Sequence, residues 1–314
     1  MRRITDSPLK SPVRLGVDRA SSRVARLGRN YRFNNLEVER FVADIGLASR
    51  RLISREYQQS TFRPRNTLRV PDRTEELFSD LAFYWSVGQI WSSLAQALRV
   101  SPTARIAEIG CGHVPKVAIG FHYLGVEGKV DLVDNDAIAL ERASRFLQLI
   151  GARFPVGVLQ ATLFDEGVSG YDCVFANHLL DDLILDHFCK LHGVDAAKLY
   201  EREDNYLEVW RDIIATPHLL DDFVPVLADT LVTKVRPGGV VLLLDYPSFS
   251  HRALGLTEVI GLVRKATRLL RDAIRARGGN IVTDLPAASI TVDRITVTQD
   301  DIVAFRRGGA NDEL

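Results

Sequence analysis

Residues 107–113, AEIGCGH, join an apolar run to a stretch with helical spacing, and this junction decides the fold. The run Arg105–Ile109 has the length and apolar character of a buried strand, and helical spacing begins near residue 115. Gly110 and Gly112 allow the backbone to turn sharply and to approach a ligand, because a Cβ atom would obstruct both. The N-terminus of the next helix favours negatively charged or electron-rich groups. The stretch therefore predicts a strand, a ligand-binding glycine turn and a helix.

The alternation of strands and helices continues beyond this turn. Apolar runs predict strands at Arg105–Ile109, Lys129–Val133, Val156–Gln160, Asp172–Ala176 and Val240–Asp245. Helical spacing lies at about 74–98, 115–125, 137–150, 178–191, 219–235 and 253–277. Short apolar strands separated by helices indicate a parallel sheet with helices on both faces. The β-rich runs Ser289–Thr298 and Ile302–Phe305 lie close together and predict a closing antiparallel hairpin.

An acidic residue ends the second predicted strand, where a ribose-binding group is expected. Asp134 lies 24 residues after Gly110, near the separation at which a carboxylate accepts both ribose hydroxyls. A nicotinamide dinucleotide site needs a third glycine three residues after Gly112, and this chain has Pro115 there. A P-loop is excluded because no Gly-Lys-Ser/Thr follows the turn.

Four segments resemble the class I S-adenosylmethionine (SAM)-dependent methyltransferases. AEIGCGHVP resembles motif I, VDLVDNDAIAL the second strand with its ribose-binding acid, YDCVFANHLLDDL the fourth strand and helix, and VRPGGVVLLLDYPS the turn and fifth strand. The resemblance covers roughly residues 75–307. It implies an α/β fold with a seven-stranded, mostly parallel Rossmann-like sheet, an antiparallel last strand, and SAM across the carboxyl ends of the strands.

The same resemblance implies a set of SAM-binding residues. Glu108 would lie near the amino-acid part of SAM, Gly110 and Gly112 would form the floor, Asp134 would hold the ribose, and Asn135 would lie beside the adenine. Two of these assignments have a structural alternative. Glu108 could instead cap the following helix, and Asp134 could be the N-cap of the helix at 137.

Two positions depart from the pattern of the family. Val114 stands near the place of the third glycine of motif I, and Thr162 replaces a carboxylate that often follows the third strand, although Asp165 is close. We include Thr162 in the predicted cofactor-binding set. The departures leave the pose of SAM open, but not the fold.

Polar residues after the fourth and fifth strands are candidates for the acceptor end of the site. Asn177 is predicted to contact the cofactor, with a helix N-cap as its alternative. His178 is predicted to take a proton from the acceptor, since its ordinary pKa is near neutrality, or else to be a surface histidine. Tyr246 is predicted to bind the acceptor, or else to form a turn around Pro247. Asp181 and Asp182 either orient a cationic acceptor or occupy the first turn of a helix. No metal site is predicted.

The domain organisation follows from these assignments. Residues 1–70 form a basic arm with a helix at 36–58, residues 71–103 form a helical cap, and residues 104–310 form the SAM-binding domain. The long segment 179–236 suggests an inserted helical cap over the acceptor site. Tyr200, Tyr206 and Trp210 are candidates to line it.

The charge of the chain is unevenly distributed. Residues 1–70 hold sixteen Arg and Lys against six Asp and Glu, whereas the whole chain has 40 of each. This arm could meet nucleic acid, although no nucleic-acid motif accompanies it and a solvated leader is the simpler interpretation. Three cysteines without metal-type spacing indicate free thiols in a reducing compartment. No apolar run is long enough for a membrane span, so we expect a cytoplasmic protein.

The function predicted from these observations is SAM-dependent methyl transfer to a small or medium-sized acceptor. One alternative is transfer or cyclisation of the aminocarboxypropyl arm of SAM, because HVPKVAIGF faintly resembles the nicotianamine synthases. Another alternative is a non-catalytic SAM-fold adaptor for nucleic acid or protein. The oligomeric state is not predicted.

Overall fold

A computed structural model describes residues 74–199, 203–247, 251, 256–285 and 297–308 of the 314-residue chain. Several sequence-based predictions lie outside these residues. They are the basic arm with its helix at 36–58, Tyr200, and most of the run Ser289–Thr298.

The described residues alternate between strands and helices as the sequence predicts. The strands are β1 (Ile106–Ile109), β2 (Val130–Asp134), β3 (Val156–Gln160), β4 (Tyr171–Asn177), β5 (Val235–Leu244), β6 (Gly279–Ile281) and β7 (Ile302–Arg307). The helices are α1 (Thr74–Ala97), α2 (Lys116–Leu124), α3 (Ala137–Leu149), α4 (Leu180–His192), α5 (Ala196–Leu199), α6 (Glu203–Ala215), α7 (Leu219–Lys234) and α8 (Thr257–Arg275).

The strands form one seven-stranded sheet with the order β3-β2-β1-β4-β5-β7-β6. The strands from β3 to β5 in this order pair in parallel, and β7 runs antiparallel to both of its neighbours. This confirms the predicted Rossmann-like sheet with an antiparallel last strand. β1 and β4 are neighbours in the sheet, with β2 and β3 on one side of the pair and β5 to β7 on the other. The order of the strands therefore reverses between β1 and β4, and a crevice opens at their carboxyl ends, where ligands of such sheets bind.

The partner of β7 at the edge of the sheet differs from the predicted hairpin. β7 pairs with β6, a three-residue strand that no apolar run marked. Val297 and Thr298 lie outside any strand and lead into a short 3-10 turn at Gln299–Asp301. The rest of the predicted first strand of the hairpin lies outside the described residues.

Apolar side chains from alternate strand positions pack on the two faces of the sheet. In β4, Val174 and Ala176 face the cluster formed with α4, α6, α7 and α8. Cys173 and Phe175 face the cluster formed with α1, α2 and α3. This alternation is the period of two that a strand imposes on its side chains, and both faces are apolar because helices cover both.

Helix α1 packs closely against α2. A Cβ atom at Gly88 would lie 2.6 Å from Cγ2 of Ile119, and one at Gly120 would lie 2.7 Å from both the carbonyl oxygen of Gly88 and Cβ of Trp91. The two glycines therefore let the helices approach. The contact holds the buried Trp91 beside the carboxyl end of β4.

Four helices, α4 to α7, separate β4 from β5. A parallel crossover needs only one helix, so the described part of this segment contains additional helices, and a cap formed by residues 179–236 stays a prediction. Tyr206 and Trp210 of α6 are buried in the apolar cluster of that face. No helix among the described residues has both the length and the apolar character required to cross a membrane.

Candidate active site

The glycine turn after β1 adopts a conformation that favours glycine. Gly110 and Gly112 have φ angles of 62° and 58°, a region that costs other residues about 1–2 kcal/mol. A Cβ atom at Gly110 would also lie 2.7 Å from Cδ1 of Leu179, whereas one at Gly112 would meet nothing within 4 Å. Gly112 therefore borders open space into which a ligand could fit.

Asp134 connects the end of β2 to this turn. Its Oδ2 accepts a hydrogen bond from the backbone N–H of Gly112 at 2.9 Å, and its Oδ1 accepts one from the backbone N–H of Asp136 at 3.0 Å. Asp136, and not Asp134, is the N-cap of α3, because its carboxylate accepts from the N–H of Ile138. The capping alternative for Asp134 is thus wrong. Each oxygen of Asp134 keeps a lone pair for a further donor.

Glu108 is buried and caps α2. Its two oxygens accept hydrogen bonds from the backbone N–H groups of Val117 and Ala118 at 3.0 and 2.9 Å. Burial raises the pKa of Glu108 from 4.5 to about 7, although these backbone hydrogen bonds act in the opposite direction. The structure therefore shows the capping contact, and a contact between Glu108 and SAM stays a prediction.

Lys116 is a charged residue of the site that the sequence analysis missed. It is the first residue of α2, directly after the glycine turn, and its Nζ lies 5.9 Å from the centroid of the Tyr84 ring. Burial lowers the pKa of Lys116, while the nearby Glu108 and Asp182 raise it. The signal that could have identified it was a lysine immediately after Pro115, where the dinucleotide fingerprint has its third glycine.

Asn135 and Thr162 lie at the same edge of the sheet as Asp134. Asn135 is exposed, and its carbonyl oxygen accepts from Nε2 of Gln160 at 3.3 Å. Thr162 follows β3, and its N–H and Oγ1 both donate to Oδ2 of Asp165, at 2.6 and 3.0 Å. The structure thus brings the predicted ribose and adenine residues together, with the Asp165 carboxylate beside Thr162.

Asn177 ends β4, and its side chain is hydrogen-bonded to a tryptophan of α1. Its Oδ1 accepts from Nε1 of Trp91 at 3.0 Å, and its buried Nδ2 has no hydrogen-bond partner. Asn177 is not the N-cap of α4. The backbone N–H groups of Leu179 and Leu180, at the start of that helix, instead donate to Oδ1 of Asp245, at 2.9 and 2.8 Å. Asp245 is therefore a helix cap supplied by the residue after β5.

The structure brings His178 and Tyr246, the two predicted catalytic residues, into contact. Their rings meet edge to face with centroids 4.6 Å apart. His178 has a φ angle of 60°, which is uncommon for a residue with a side chain. Its N–H donates to the carbonyl oxygen of Leu244 at 2.8 Å, so the pairing of β4 with β5 extends to this residue. Their roles in catalysis stay predictions.

Further ionisable groups surround His178. Oδ2 of Asp181 lies 3.6 Å from Nδ1 of His178 and 3.5 Å from Nε2 of His251. Burial and the neighbouring Asp181 raise the pKa of Asp245 to about 7. Burial also lowers the pKa of His251. Asp181 lies in the first turn of α4, as the sequence analysis allowed, but its carboxylate faces histidines.

Asp245 and His251 carry no site role in the predictions made from the sequence. Asp245 is the last residue of a predicted strand, and His251 lies beyond Pro247 in a stretch without periodicity. Helix α6 also reaches this point, because the rings of Trp210 and His251 have centroids 6.2 Å apart. A cavity of about 10 Å³ lies among these groups, and the polar side chains that line it are those of His178, Asp181, Asp245, Tyr246, His251, Arg264 and Asp301.

Comparisons with known proteins give distant similarities of fold. No family model and no curated protein matches the chain. Among solved structures, the SAM-dependent methyltransferase SibL is 16% identical, with a TM-score of 0.46 over 92% of this chain and 74% of that one. A magnesium protoporphyrin IX methyltransferase from Synechocystis, solved with bound S-adenosylhomocysteine, is 13% identical, with a TM-score of 0.44 over 74% of this chain and 86% of that one.

A third similar structure is an O-methyltransferase family protein from Burkholderia thailandensis, 15% identical over 80% of this chain, with a TM-score of 0.42. The chain spans 64% of that protein, and 59% of another match, from Nostoc punctiforme. At these TM-scores the similarities identify neither a reaction nor an acceptor for this chain.

Proposed function

We propose that the chain is a SAM-dependent methyltransferase acting on a small or medium-sized acceptor. The observation that carries the proposal is the hydrogen bond between Gly112 and Asp134. It joins two neighbouring strand ends into one cradle, in which a turn bordered by open space lies beside a carboxylate. A nucleoside fits this combination, because the turn admits it closely and the carboxylate accepts from its ribose hydroxyls.

The groups around the cradle match the nucleoside part of SAM. Asp134 would hold the ribose, and Asn135 and Thr162 would lie toward the adenine. Gly110 and Gly112 would form the floor beneath it, since neither carries a side chain that could intrude.

The methionine part of SAM would lie between the start of α2 and the ends of β4 and β5. Lys116 would bind its carboxylate, since it is the cation at the start of α2, with Glu108 near its amino group. The sulfonium would then point toward the strand ends where Asn177, His178 and Tyr246 lie.

Methyl transfer from SAM requires few catalytic groups from the protein. The acceptor lone pair forms a bond to the methyl carbon, the C–S bond breaks with its electrons staying on sulfur, and the acceptor loses a proton. The sulfonium is already activated, so catalysis consists mainly of holding donor and acceptor in line and excluding water. Helix α1 and the insertion with α6 flank the acceptor end and are suited to exclude water there.

The test is the product formed from SAM. The full-length protein is incubated with SAM and fractions of a small-molecule extract, and the products are separated by mass spectrometry. S-adenosylhomocysteine, together with an acceptor heavier by one methylene unit, is the expected result. Methylthioadenosine would indicate aminocarboxypropyl transfer instead. If calorimetry detects binding of neither SAM nor S-adenosylhomocysteine, both enzyme functions are wrong.

A further inference from the structure

Four side chains from two stretches of the chain, 178–181 and 245–251, converge at the acceptor end of the crevice. His178 follows β4, Asp181 lies in α4, Asp245 follows β5, and His251 lies beyond it. We call them the His-Asp cluster. One ligand atom from each of His178, Asp181 and Asp245 lies within 4.8 Å of the others, and His251 approaches the same Asp181 oxygen.

The distances in the His-Asp cluster suit a shared ion better than direct hydrogen bonds. The carboxylate oxygen of Asp181 lies 3.6 and 3.5 Å from the two histidine nitrogens, and N–H···O hydrogen bonds have lengths of about 2.7–3.2 Å. Ligand atoms around a tetrahedral ion with bonds of about 2.0–2.2 Å lie about 3.3–3.6 Å apart. These two separations fall in that range, and the ligand atoms of His178, Asp181 and Asp245 all lie within 4.8 Å of one another.

An unsatisfied carboxylate oxygen in the His-Asp cluster is a second observation. Asp181 is 8% exposed, and its Oδ1 is buried without a hydrogen-bond partner. Such atoms are costly unless a water or an ion binds them. The adjoining cavity of about 10 Å³ has room for one water or one ion.

The surrounding charges also leave a place for a cation. Asp181 and Asp245 are two buried carboxylates. Arg264 lines the same cavity, but its Nε donates to Oδ1 of Asp301 at 2.8 Å. Its charge is therefore already paired with a different carboxylate.

We propose that the His-Asp cluster is a binding site for one divalent transition-metal ion of the zinc class, held by ligand atoms of His178, Asp181 and Asp245, with His251 beside Asp181 as the candidate for a fourth ligand. Imidazole ligands select Zn²⁺ and related ions over Mg²⁺, which prefers oxygen ligands and water. A ligating His178 carries a hydrogen on its second nitrogen, so it does not accept the acceptor's proton. If the proposed methyl transfer holds, the ion binds an oxygen or nitrogen of the acceptor, and this consequence alone rests on that function.

The test is Zn²⁺ binding by metal-stripped, tag-free full-length protein. Calorimetric titration against a competing chelator is expected to show one Zn²⁺ per chain. His178→Asn and His251→Asn should each weaken binding at least ten-fold. Asparagine tolerates the positive φ of His178, which keeps the backbone of that variant intact. Replacing Zn²⁺ with Co²⁺ should give a visible absorption band that both variants lose.

His218 provides a matched control. Like His178, it has a positive φ, of 64°, and pairs with an aspartate three residues later, but its side chain is 81% exposed. His218→Asn should leave Zn²⁺ affinity unchanged. Three outcomes would overturn the proposal: no stoichiometric site, an equal loss of affinity in His218→Asn, or Mg²⁺ binding as tightly as Zn²⁺. SAM binding measured on the metal-free protein tests the proposed function separately.

Discussion

At the scale of single residues, Asp134 is the side chain on which the nucleoside assignment depends. Asp134→Ala removes a charged acceptor of ribose hydroxyls and also the hydrogen bond from Gly112. We expect the affinity for SAM to fall by about 1–3 kcal/mol, because hydrogen bonds to charged groups contribute on that order. Isothermal titration calorimetry with SAM measures the change directly.

Asp136→Asn is the matched control for that experiment. Asp136 lies two residues after the end of β2, but its carboxylate accepts from the N–H of Ile138 and caps α3. Asparagine is as good an N-cap as aspartate, so neither stability nor SAM affinity should change appreciably. Equal affinities in Asp134→Ala and the wild type would refute the ribose assignment.

Glu108 should make stability depend on pH. Its pKa is raised from 4.5 to about 7 in the folded chain, first by burial. A raised pKa in the folded state means that the contribution of Glu108 is greatest below pH 4.5 and is lost as pH rises through 7. The difference between the two pKa values corresponds to about 3 kcal/mol.

The measurement is urea unfolding of the wild type and Glu108→Gln between about pH 4 and 8, a window that brackets both pKa values. The glutamine side chain of the variant does not titrate. The difference in free energy of unfolding between the two proteins therefore isolates Glu108 from Asp245, whose pKa is also near 7. We expect the wild type to lose stability relative to the variant as the pH rises. A difference that stays constant across this range would contradict the assignment of Glu108 as a buried acid with a raised pKa.

At the scale of elements, the contact between α1 and α2 can be tested by a single methyl group. Gly88→Ala would place a Cβ atom 2.6 Å from the short side chain of Ile119, which has no flexible end to move aside. We expect a loss of about 1–3 kcal/mol in the free energy of unfolding, as in other overpacked cores. Chemical denaturation measures it.

Gly261→Ala should change the free energy of unfolding in the opposite direction to Gly88→Ala. Gly261 lies within α8, and a Cβ atom there would meet nothing within 4 Å. Glycine inside a helix costs roughly 0.5–1 kcal/mol relative to alanine, so this variant should be more stable than the wild type. If both substitutions destabilise the protein equally, the close approach of α1 to α2 is not what distinguishes Gly88.

The strands differ in how closely their bounds can be predicted from the sequence, for physical reasons. The bounds of β1 to β4 agree with the predicted ones to within about one residue, because each strand is marked by a short apolar run, which is buried in β1, β2 and β4. β5 begins at Val235, five residues earlier than expected, because the exposed stretch RPG separates Val235 from the apolar run. β6 has three residues and therefore no periodicity to detect.

The site could be predicted only where it depends on strand ends. The carboxyl ends of parallel strands converge, so Asp134, Thr162 and His178 were expected at one edge of the sheet. The cap of α4 was not predictable, because Asp245 lies 66 residues after Leu179, whose N–H it accepts. The sequence offered Asn177 as the cap only as an alternative to a cofactor contact, and its Oδ1 accepts from a tryptophan of α1 instead.

At the scale of the whole molecule, binding of a ligand at the nucleoside site should raise the thermal stability of the protein. A ligand that binds only the folded state stabilises it by RT ln(1 + [L]/Kd), or about 2.7 kcal/mol at roughly 100 times Kd. S-adenosylhomocysteine should therefore raise Tm by several degrees at such concentrations. NAD should not, because Pro115 stands where the dinucleotide fingerprint requires a glycine for close packing of the helix on the strand.

Differential scanning fluorimetry of the full-length chain compares the two ligands at equal concentrations. The Asp134→Ala variant should lose most of the shift with S-adenosylhomocysteine, since mass action converts weaker binding into a smaller stabilisation. A shift with NAD that equals or exceeds the shift with S-adenosylhomocysteine would mean that the crevice accepts a dinucleotide. The glycine turn and Asp134 would then serve a different cofactor from the one proposed, although the sheet that presents them would be the same.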